Sequence, residues 1–249
     1  MFNQELKIIP LGGVGQATKN MYIYEYGNDQ ISIDCGMGFP EDGALGVDAV
    51  IPDISYLEKS NKNFLGIVLT HPHMDHIGGL PYILPRLPNA RVYGGKLAIA
   101  MAELRVREFG IPNKMTPVEG YLDLGPFHIE FIHSTHSVPN CSHLLITPPA
   151  GTIYHGADYK FDLTPIDNLP PDLQGMAKAG ANGVDLLMTD CLGIEKNGFC
   201  PSERSLLGAI DTEFRNTQGK VVFTTMSSSI SRFQMAIDAS VKYHRKVAI

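Results

Sequence analysis

The stretch HPHMDH at residues 71–76 follows the apolar run FLGIVL at residues 64–69, with Thr70 between them. The apolar run predicts a buried β-strand, so the polar stretch stands at the carboxyl end of that strand. Alternate residues of an extended chain share one side, and a turn then brings the remaining donors to a neighbouring point. Imidazole nitrogen and carboxylate oxygen suit divalent zinc, so the stretch predicts a metal site. Its four donors are His71, His73, Asp75 and His76.

Two later strand ends offer further donors. His136 lies in STHS at residues 134–137, and Asp158 lies in HGADYK at residues 155–160. A pair of zinc ions needs about seven or eight ligands once waters are counted, so Asp158 is a candidate to bridge both ions. A single histidine is more often a surface or hydrogen-bonded residue than a ligand, but the cluster favours a metal site. Three histidines lack this context and are expected to support the ligands at most: His133, His143 and His155.

The composition is typical of a globular protein. A chain of 249 residues with 44% hydrophobic residues can bury a full core. It has no run of about 20 apolar residues, and residues 1–5 lack a signal-peptide pattern, so we expect a cytoplasmic protein that does not bind membranes. The four cysteines form no CxxC pair, which argues against a cysteine zinc site or a disulfide framework. The net charge of −6 does not favour nucleic-acid binding, because such domains usually carry a basic face.

Strands alternate with helices along the chain. Runs rich in Ile, Val and Tyr, separated by glycines, predict strands over 6–11, 21–26, 30–34, 65–70, 91–93, 127–132, 142–147, 152–155 and 184–189. Helices are predicted over 97–109, 172–179 and 202–216, the last capped by Ser202. A final unit is predicted as a strand over 220–225, a helix over 231–243 and a strand over 246–249. We therefore expect one domain over residues 1–217 and the start of a second over residues 218–249.

Several motifs carry a resemblance to a known family. HxHxDH, with Gly12-Gly13 before the first strands and a later His and Asp, resembles the metallo-β-lactamase superfamily. LGGVG at 11–15, IDCG at 33–36, YKFD at 159–162 and PSERS at 201–205 look like motifs of the ribonuclease J family, the bacterial β-CASP nucleases. The resemblance implies an α/β (α+β) fold. It consists of an incomplete metallo-β-lactamase αββα sandwich, followed by the first β-α-β of a β-CASP domain.

The resemblance also implies an activity and a site. The activity is hydrolysis of RNA phosphodiester bonds, as a 5′-exonuclease and endonuclease, by a hydroxide that two zinc ions activate, with Mn²⁺ or Mg²⁺ as substitutes. The implied ligands are His71, His73 and His136 for one zinc, Asp75 and His76 for the other, and Asp158 for both. The implied catalytic residues are Asp75, which would orient the water, and Asp190, which matches an acidic active-site residue of the family. Implied substrate contacts are Ser228, Ser229 and Arg232. Lys160, just past Asp158, is either a further phosphate contact or a solvated lysine at a strand end.

Some residues depart from the family pattern. Pro72 and Met74 replace the usual Gly and Glu between the ligands, and Ser229 and Ser231 replace an Asn and a His near the expected RNA site. The family carries further strands and ligands after the β-CASP insertion, in which this chain ends. We therefore expect a fragment with a weakly held second zinc and reduced activity, which needs the missing C-terminal half. Association as a homo-oligomer or within an RNA-decay complex is a further expectation.

Two other functions fit the same ligands. A metallo-β-lactamase fold without nuclease activity would hydrolyse a lactam, a lactone or a thioester. A catalytically inactive fragment would only bind RNA or a protein partner. The segment 220–249 and Asp190 favour the nuclease, because a small-molecule hydrolase has no use for either.

Overall fold

The structure, a computed structural model, describes residues 4–42, 44–112 and 115–248. Among these residues the chain forms two β-sheets. The first sheet contains β1 (Leu6–Gly12), β2 (Met21–Tyr26), β3 (Asp29–Ile33), β4 (Asn63–Leu69), β5 (Val92–Gly94) and β6 (Met115–Pro117). The second contains β7 (Tyr121–Leu124), β8 (Phe127–Ser134), β9 (Cys141–Thr147), β10 (Ile153–His155) and β11 (Leu186–Met188).

Most of the helices connect or cover these strands. The α-helices are α1 (Ser55–Glu58), α2 (Met74–Ile77), α3 (Leu80–Ile83), α4 (Lys96–Glu108), α5 (Leu173–Asn182), α6 (Leu207–Asn216) and α7 (Ile230–Lys242). Short 3₁₀ turns cover Leu84–Arg86 and Glu203–Leu206. The hydroxyl of Ser202 accepts a hydrogen bond from the amide of Arg204 at 3.1 Å, so the predicted cap is present. The turn that it begins is 3₁₀, and α6 follows directly.

Strand direction explains how the sheets bring distant residues together. In the first sheet β1, β2 and β3 pair antiparallel as two successive hairpins, and β3, β4, β5 and β6 pair parallel. Ile33 of β3 stands beside Val68 of β4, so the carboxyl ends of these two strands meet. In the second sheet β7, β8, β9 and β10 pair antiparallel, and β11 joins β10 in parallel. Because β8 and β10 both pair antiparallel with β9, their carboxyl ends lie at the same edge.

The two sheets pack face to face with helices on both outer faces. Successive residues of β4 face opposite sides: Ile67 and Leu69 pack towards the helices, and Val68 packs between the sheets. The core under the helices includes Met21, Ile23, Ile67, Leu69, Ile77, Leu80, Ile83, Ala98 and Ala102. The core between the sheets includes Tyr24, Ile31, Ile33, Val68, Phe127, Ile129, Leu144 and Ile146. Each of the fully buried aliphatic side chains and Phe127 contributes about 1.5–3 kcal/mol.

A third, smaller core completes the layers. Ile132, Leu145 and Tyr154 on the outer face of the second sheet pack against Ala179 of α5. The order of layers is therefore helix, sheet, sheet, helix, and the predicted αββα sandwich is confirmed. The predicted strands between residues 6 and 189 are present, with ends shifted by one or two residues. The short strands β6 and β7 were not predicted, because Met115–Pro117 and Tyr121–Leu124 are too short to show a hydrophobic period.

The predicted β-α-β unit after residue 217 is wrong in its strands. Within residues 218–248, all of which the structure describes, α7 forms as predicted, but 220–225 and 246–248 are not strands; residue 249 lies outside the described residues. A strand needs a neighbouring backbone to satisfy its amides and carbonyls, and neither segment pairs with one. Val222 is 86% exposed and Val247 is 51% exposed, so these side chains also gain little from burial. The domain boundary at residues 217 and 218 stays a prediction.

Two further expectations concern the chain as a whole. Across the parts of the chain that the structure describes, no helix has the length and apolar character that crossing a bilayer requires. The four cysteines are free; Cys35 and Cys141 are buried, and Cys191 and Cys200 are exposed.

Candidate metal centre

The donors predicted from the sequence lie together at the carboxyl ends of strands from both sheets. The stretch after β4 supplies two histidines and continues into α2, which supplies an aspartate and a third histidine. His136 follows β8 and Asp158 follows β10, at the shared edge of the second sheet. Within the described residues these donors form two groups with one shared member.

The first group contains three imidazoles and one carboxylate: His71, His73, His136 and Asp158. One ligand atom from each lies within 4.8 Å of all the others. Nδ1 of His73 is 3.1 Å from Nε2 of His71 and 3.2 Å from Nε2 of His136. Oδ2 of Asp158 is 3.9 Å from Nε2 of His136. The four donor atoms thus converge on one point from two sheets.

Neighbouring hydroxyls decide which nitrogens of this group carry hydrogen. The hydroxyl of Thr70 donates to Asp34 at 2.9 Å, so its oxygen is left to accept Nδ1–H of His71 at 3.0 Å. Nε2 of His71 therefore directs a lone pair into the group. Burial and the neighbouring imidazoles hold the pKa of His71 well below its usual value, and burial lowers the pKa of His136 to about 4. Converging unprotonated nitrogens repel one another, and a cation between them removes that repulsion.

The second group contains Asp75, His76 and the same Asp158. Nε2 of His76 is 3.4 Å from Oδ2 of Asp75 and 3.5 Å from Oδ1 of Asp158. Asp158 therefore directs one oxygen to each group. Burial opposes a charge on His76, but the carboxylates of Asp34, Asp158 and Asp75 raise its pKa well above the usual value. The carboxylates of this group therefore favour a positive charge beside them, which a proton on His76 or a metal cation would supply.

Asp34 lies behind both groups and was not among the predicted site residues. It follows β3 in the left-handed region of backbone space, at φ 60°, and is fully buried. Its Oδ2 accepts Nδ1–H of His76 at 2.7 Å, and its Oδ1 accepts the amide of Thr70 at 2.9 Å. Through the Thr70 hydroxyl it also orients His71. One buried carboxylate thus sets the ring orientation of one histidine in each group.

A close backbone approach fixes the loop that carries Asp75. The amide of Asn20 donates to the carbonyl of Asp75 at 2.9 Å, and the amide of Gly36 donates to the carbonyl of Asn20 at 2.9 Å. A Cβ on Gly36 would lie 1.6 Å from the carbonyl oxygen of Asp75, so only glycine fits at this position. The structure therefore explains two residues of the IDCG motif: Asp34 orients the histidines, and Gly36 allows the close approach of the Asp75 carbonyl.

An open cleft of about 680 Å³ lies beside the second group. Asp75, His76 and Asp158 line it, together with Asp190 and the loop over residues 13–17. Burial, followed by the negative charge of Asp158, raises the pKa of Asp190. The structure thus brings Asp190 to the same cleft as three of the six predicted ligands, Asp75, His76 and Asp158.

The other histidines singled out in the sequence lie outside both groups, within the described residues. His133 meets the carbonyl of Leu169 at 3.2 Å. His143 contacts the hydroxyl of Tyr154 at 2.8 Å, and His155 contacts the hydroxyl of Tyr24 at 2.9 Å. Burial lowers the pKa of His143 and of His155 to about 4, so both are neutral at pH 7.

The four predicted substrate contacts do not line this cleft. Lys160 donates to Glu203 at 2.9 Å, and Arg232 donates to the same carboxylate at 2.9 Å. Ser229 is buried at the start of α7, and Ser228 is partly buried in the turn before it. The two cations are therefore neutralised within the protein, and this pairing could not be read from the spacing of the sequence.

The donor chemistry fits a divalent cation. The two groups offer four imidazole nitrogens and two carboxylates, which are ligands of borderline metals, and they share Asp158. Nδ1 of His71 is hydrogen-bonded to Thr70, and Nδ1 of His76 is hydrogen-bonded to Asp34. Hydrogen bonds of this kind orient histidine ligands in metal sites. The site is therefore suited to bind divalent metal.

The fold and this donor set define the class of protein. Residues 14–187 match the family model described as the metallo-beta-lactamase superfamily. The chain belongs to this superfamily. The crystal structure of a protein of unknown function from Enterococcus faecalis V583 has the same fold, with a TM-score of 0.68 and 17% identity over 94% of this chain and 63% of that chain.

The similarity to ribonuclease J is also confirmed. The chain is 42% identical to ribonuclease J of Helicobacter pylori over 98% of this chain and 36% of that protein. It is 37% identical to ribonuclease J of Synechocystis over 99% of this chain and 39% of that protein. It is 37% identical to ribonuclease J of Thermus thermophilus over 98% of this chain and 44% of that protein. The chain thus spans less than half the length of these relatives.

Proposed function

We propose that the protein is a dizinc hydrolase that cleaves RNA phosphodiester bonds. The observation that carries the proposal is the pair of donor groups that share Asp158. A phosphodiester in hydrolysis develops negative charge on several oxygens, which two adjacent cations can stabilise. The similarity to proteins named ribonuclease J supports RNA as the substrate. A 5′-exonuclease and endonuclease activity is the finer form of this proposal.

The proposed ligands follow the two groups. His71, His73 and His136 would hold one zinc, and Asp75 and His76 would hold the other, with Asp158 between them. When bound, the two ions would supply Lewis acidity to the phosphate and lower the pKa of a water molecule. Mn²⁺ or Mg²⁺ is proposed as a substitute. The net charge of −6 makes these local cations the main attraction for a polyanion.

Two carboxylates of the cleft are proposed to handle water and protons. Asp75 presents its carboxylate to the cleft and would orient the attacking water by accepting a hydrogen bond from it. Asp190 lines the same cleft, and burial together with the charge of Asp158 raises its pKa. From this position Asp190 could carry a proton to the reacting phosphodiester. It would donate that proton to the leaving oxygen.

The proposed substrate contacts lie outside the cleft. RNA would reach Lys160 or Arg232 only by displacing Glu203, which pairs with both. Ser228 and Ser229 lie four and three residues before Arg232 in the chain and would act with it. A cytoplasmic location, an RNA-decay complex or homo-oligomer, and a need for the rest of the relatives' length are proposals that rest on the resemblance to ribonuclease J.

Metal analysis and a pair of substrates test the proposal. Zinc stoichiometry is measured for the chain and for His73→Ala, in which the central imidazole of the first group is removed. We expect about two equivalents for the chain and a loss of at least one in the variant. Cleavage of 5′-monophosphorylated RNA is compared with cleavage of a chromogenic lactam, both for this chain and for a longer protein that contains it. Hydrolysis of the lactam alone, or metal binding that His73→Ala leaves unchanged, would refute the proposal.

A further inference from the structure

His136 and Asp158 follow strands that do not pair with each other. In the second sheet β9 lies between β8, which His136 follows, and β10, which Asp158 follows. Two strand spacings separate β8 from β10 by roughly 10 Å. Oδ2 of Asp158 is nevertheless 3.9 Å from Nε2 of His136. Bonds outside the strand ladders must therefore set the position of one donor relative to the other.

Thr135 supplies such bonds through its backbone and its side chain. It directly precedes His136, and its carbonyl accepts the amide of Lys160 at 2.8 Å. Its hydroxyl donates to the carbonyl of Lys160 and accepts the amide of Asp162 at 3.1 Å. Lys160 stands two residues after Asp158. Three bonds thus join the residue beside one donor to the segment that follows the other donor.

The hydroxyl adds a constraint that the backbone bond alone does not give. A single hydrogen bond fixes the distance between two segments but leaves them free to rotate about it. The hydroxyl holds two further backbone groups, and Thr135 is buried, so water does not readily replace these bonds. The segment is also fixed at its far end, because the carboxylate of Asp162 accepts the amides of Thr164 at 3.0 Å and Glu203 at 2.9 Å. The hydroxyl therefore couples His136 to a segment that is itself held in place.

We infer that the hydroxyl of Thr135 positions His136 relative to Asp158 and thereby sets the metal affinity of the first group. This inference rests on the metal ligands of the proposed function. Thr135 is a positioning residue, because its bonds go to backbone atoms of residues 160 and 162. Zinc accepts nitrogen and oxygen donors at about 2.0–2.2 Å, so donors from separate segments must be placed accurately. Loss of a group that orients a ligand weakens metal binding about 10- to 100-fold.

Zinc titration by calorimetry into the metal-free chain and matched variants tests this role. Thr135→Val nearly keeps the shape of the side chain and removes the hydroxyl, whereas Thr135→Ser keeps the hydroxyl and removes the methyl group. Thr212→Val is the control, because the exposed hydroxyl of Thr212 donates to the carbonyl of Gly208 within α6. The equivalent that His136→Ala removes identifies the first group. For this equivalent we expect about 10- to 100-fold weaker binding in Thr135→Val and near wild-type binding in Thr135→Ser and Thr212→Val.

Cobalt provides a readout that a loss of stability would not change. The visible absorption of bound Co²⁺ reports the geometry of its ligands. At saturating Co²⁺ we expect an altered spectrum in Thr135→Val and the wild-type spectrum in Thr135→Ser. Thermal unfolding of the metal-free variants shows whether they fold. If Thr135→Val is unfolded without metal, Thr135→Ala takes its place, because its smaller side chain lets a water molecule reach the carbonyl of Lys160.

The outcomes separate this inference from the proposed function. Equal zinc affinities in wild type and Thr135→Val would refute the inference and leave the function intact. Equally weak binding in Thr135→Ser and Thr135→Val would also refute it, because the methyl group rather than the hydroxyl would then hold the segments. A wild type that binds no zinc would overturn both. Zinc binding with the expected variant effects, in a longer protein that does not cleave RNA, would overturn the function alone.

Discussion

Replacement of Asp34 by Asn tests whether its hydrogen bonds to His76 and Thr70 orient the proposed ligands. Asn has nearly the same volume and tolerates the left-handed backbone at φ 60°, so the substitution changes the hydrogen bonds with little added strain. The carboxylate accepts three hydrogens, from the Thr70 amide, the Thr70 hydroxyl and His76. A carboxamide offers one oxygen to them and turns its NH₂ group towards the remaining donor.

The expected cost follows from the bond that is lost. The shortest contact is His76 Nδ1 to Asp34 at 2.7 Å, and both side chains are almost fully buried. Loss of a charge-assisted hydrogen bond, with a buried donor left unsatisfied, costs about 2–3 kcal/mol. A ligand that loses its orienting partner binds metal about 10- to 100-fold more weakly. We expect both effects in Asp34→Asn, with the metal effect in the group that contains His76.

Two assays on the same preparation measure these effects. Urea unfolding of the metal-free protein gives the free energy of unfolding, and zinc titration gives the two affinities. Asp123→Asn is the matched control, because Asp123 is exposed and its hydrogen bond is to His128 at the surface. An Asp34→Asn variant within about 0.5 kcal/mol of wild type, with unchanged zinc affinities, would show that Asp34 does not support the centre.

Two substitutions elsewhere give further predictions. Gly36→Ala should fold poorly or lose the second metal, because its Cβ would overlap the carbonyl of Asp75. The control is Gly208→Ala, which has open space in α6 and should be neutral or stabilising. Thermal unfolding compares the two variants. Burial lowers the pKa of His143 to about 4, below its unfolded value of 6.5, so the unfolded state gains a proton first as the pH falls. The free energy of unfolding of the metal-free chain should therefore decrease as the pH falls from 6.5 to 4. His143→Gln should reduce this slope by up to about 1.4 kcal/mol per pH unit. An unchanged slope in the variant would show that the pKa of His143 is not lowered by folding.

The sequence predicted the donors better than their surroundings. His71 and His73 could be placed because a strand followed by HPHMDH fixes both the side and the end on which they lie. Asp34 and Asn20 were not predicted as site residues, although Asp34 stands in the quoted IDCG motif. Their roles depend on the parallel register of β3 and β4 and on the loop that packs on Asp75, and neither can be read from spacing.

The error after residue 217 has the same physical origin. Val221, Val222 and Val247 favour strands in these two segments, but a strand forms only where another backbone accepts its hydrogen bonds. Helix α7 needs no such partner for its backbone, and it forms as predicted. The sequence also does not reveal that Lys160 and Arg232 pair with one carboxylate, Glu203; their contact with the substrate stays a prediction.

The proposed ligands come from both sheets, and this has a consequence for the lifetime of the protein. A bound ion would tie the segment after β4 to the segments after β8 and β10, across the apolar interface of the sandwich. Only the folded chain assembles these donors, so metal at a hundredfold excess over its dissociation constant would add about 2.7 kcal/mol to stability. A cell short of the bound metal would then lose the protein to proteolysis as well as its chemistry, and metal supply would set abundance and activity together.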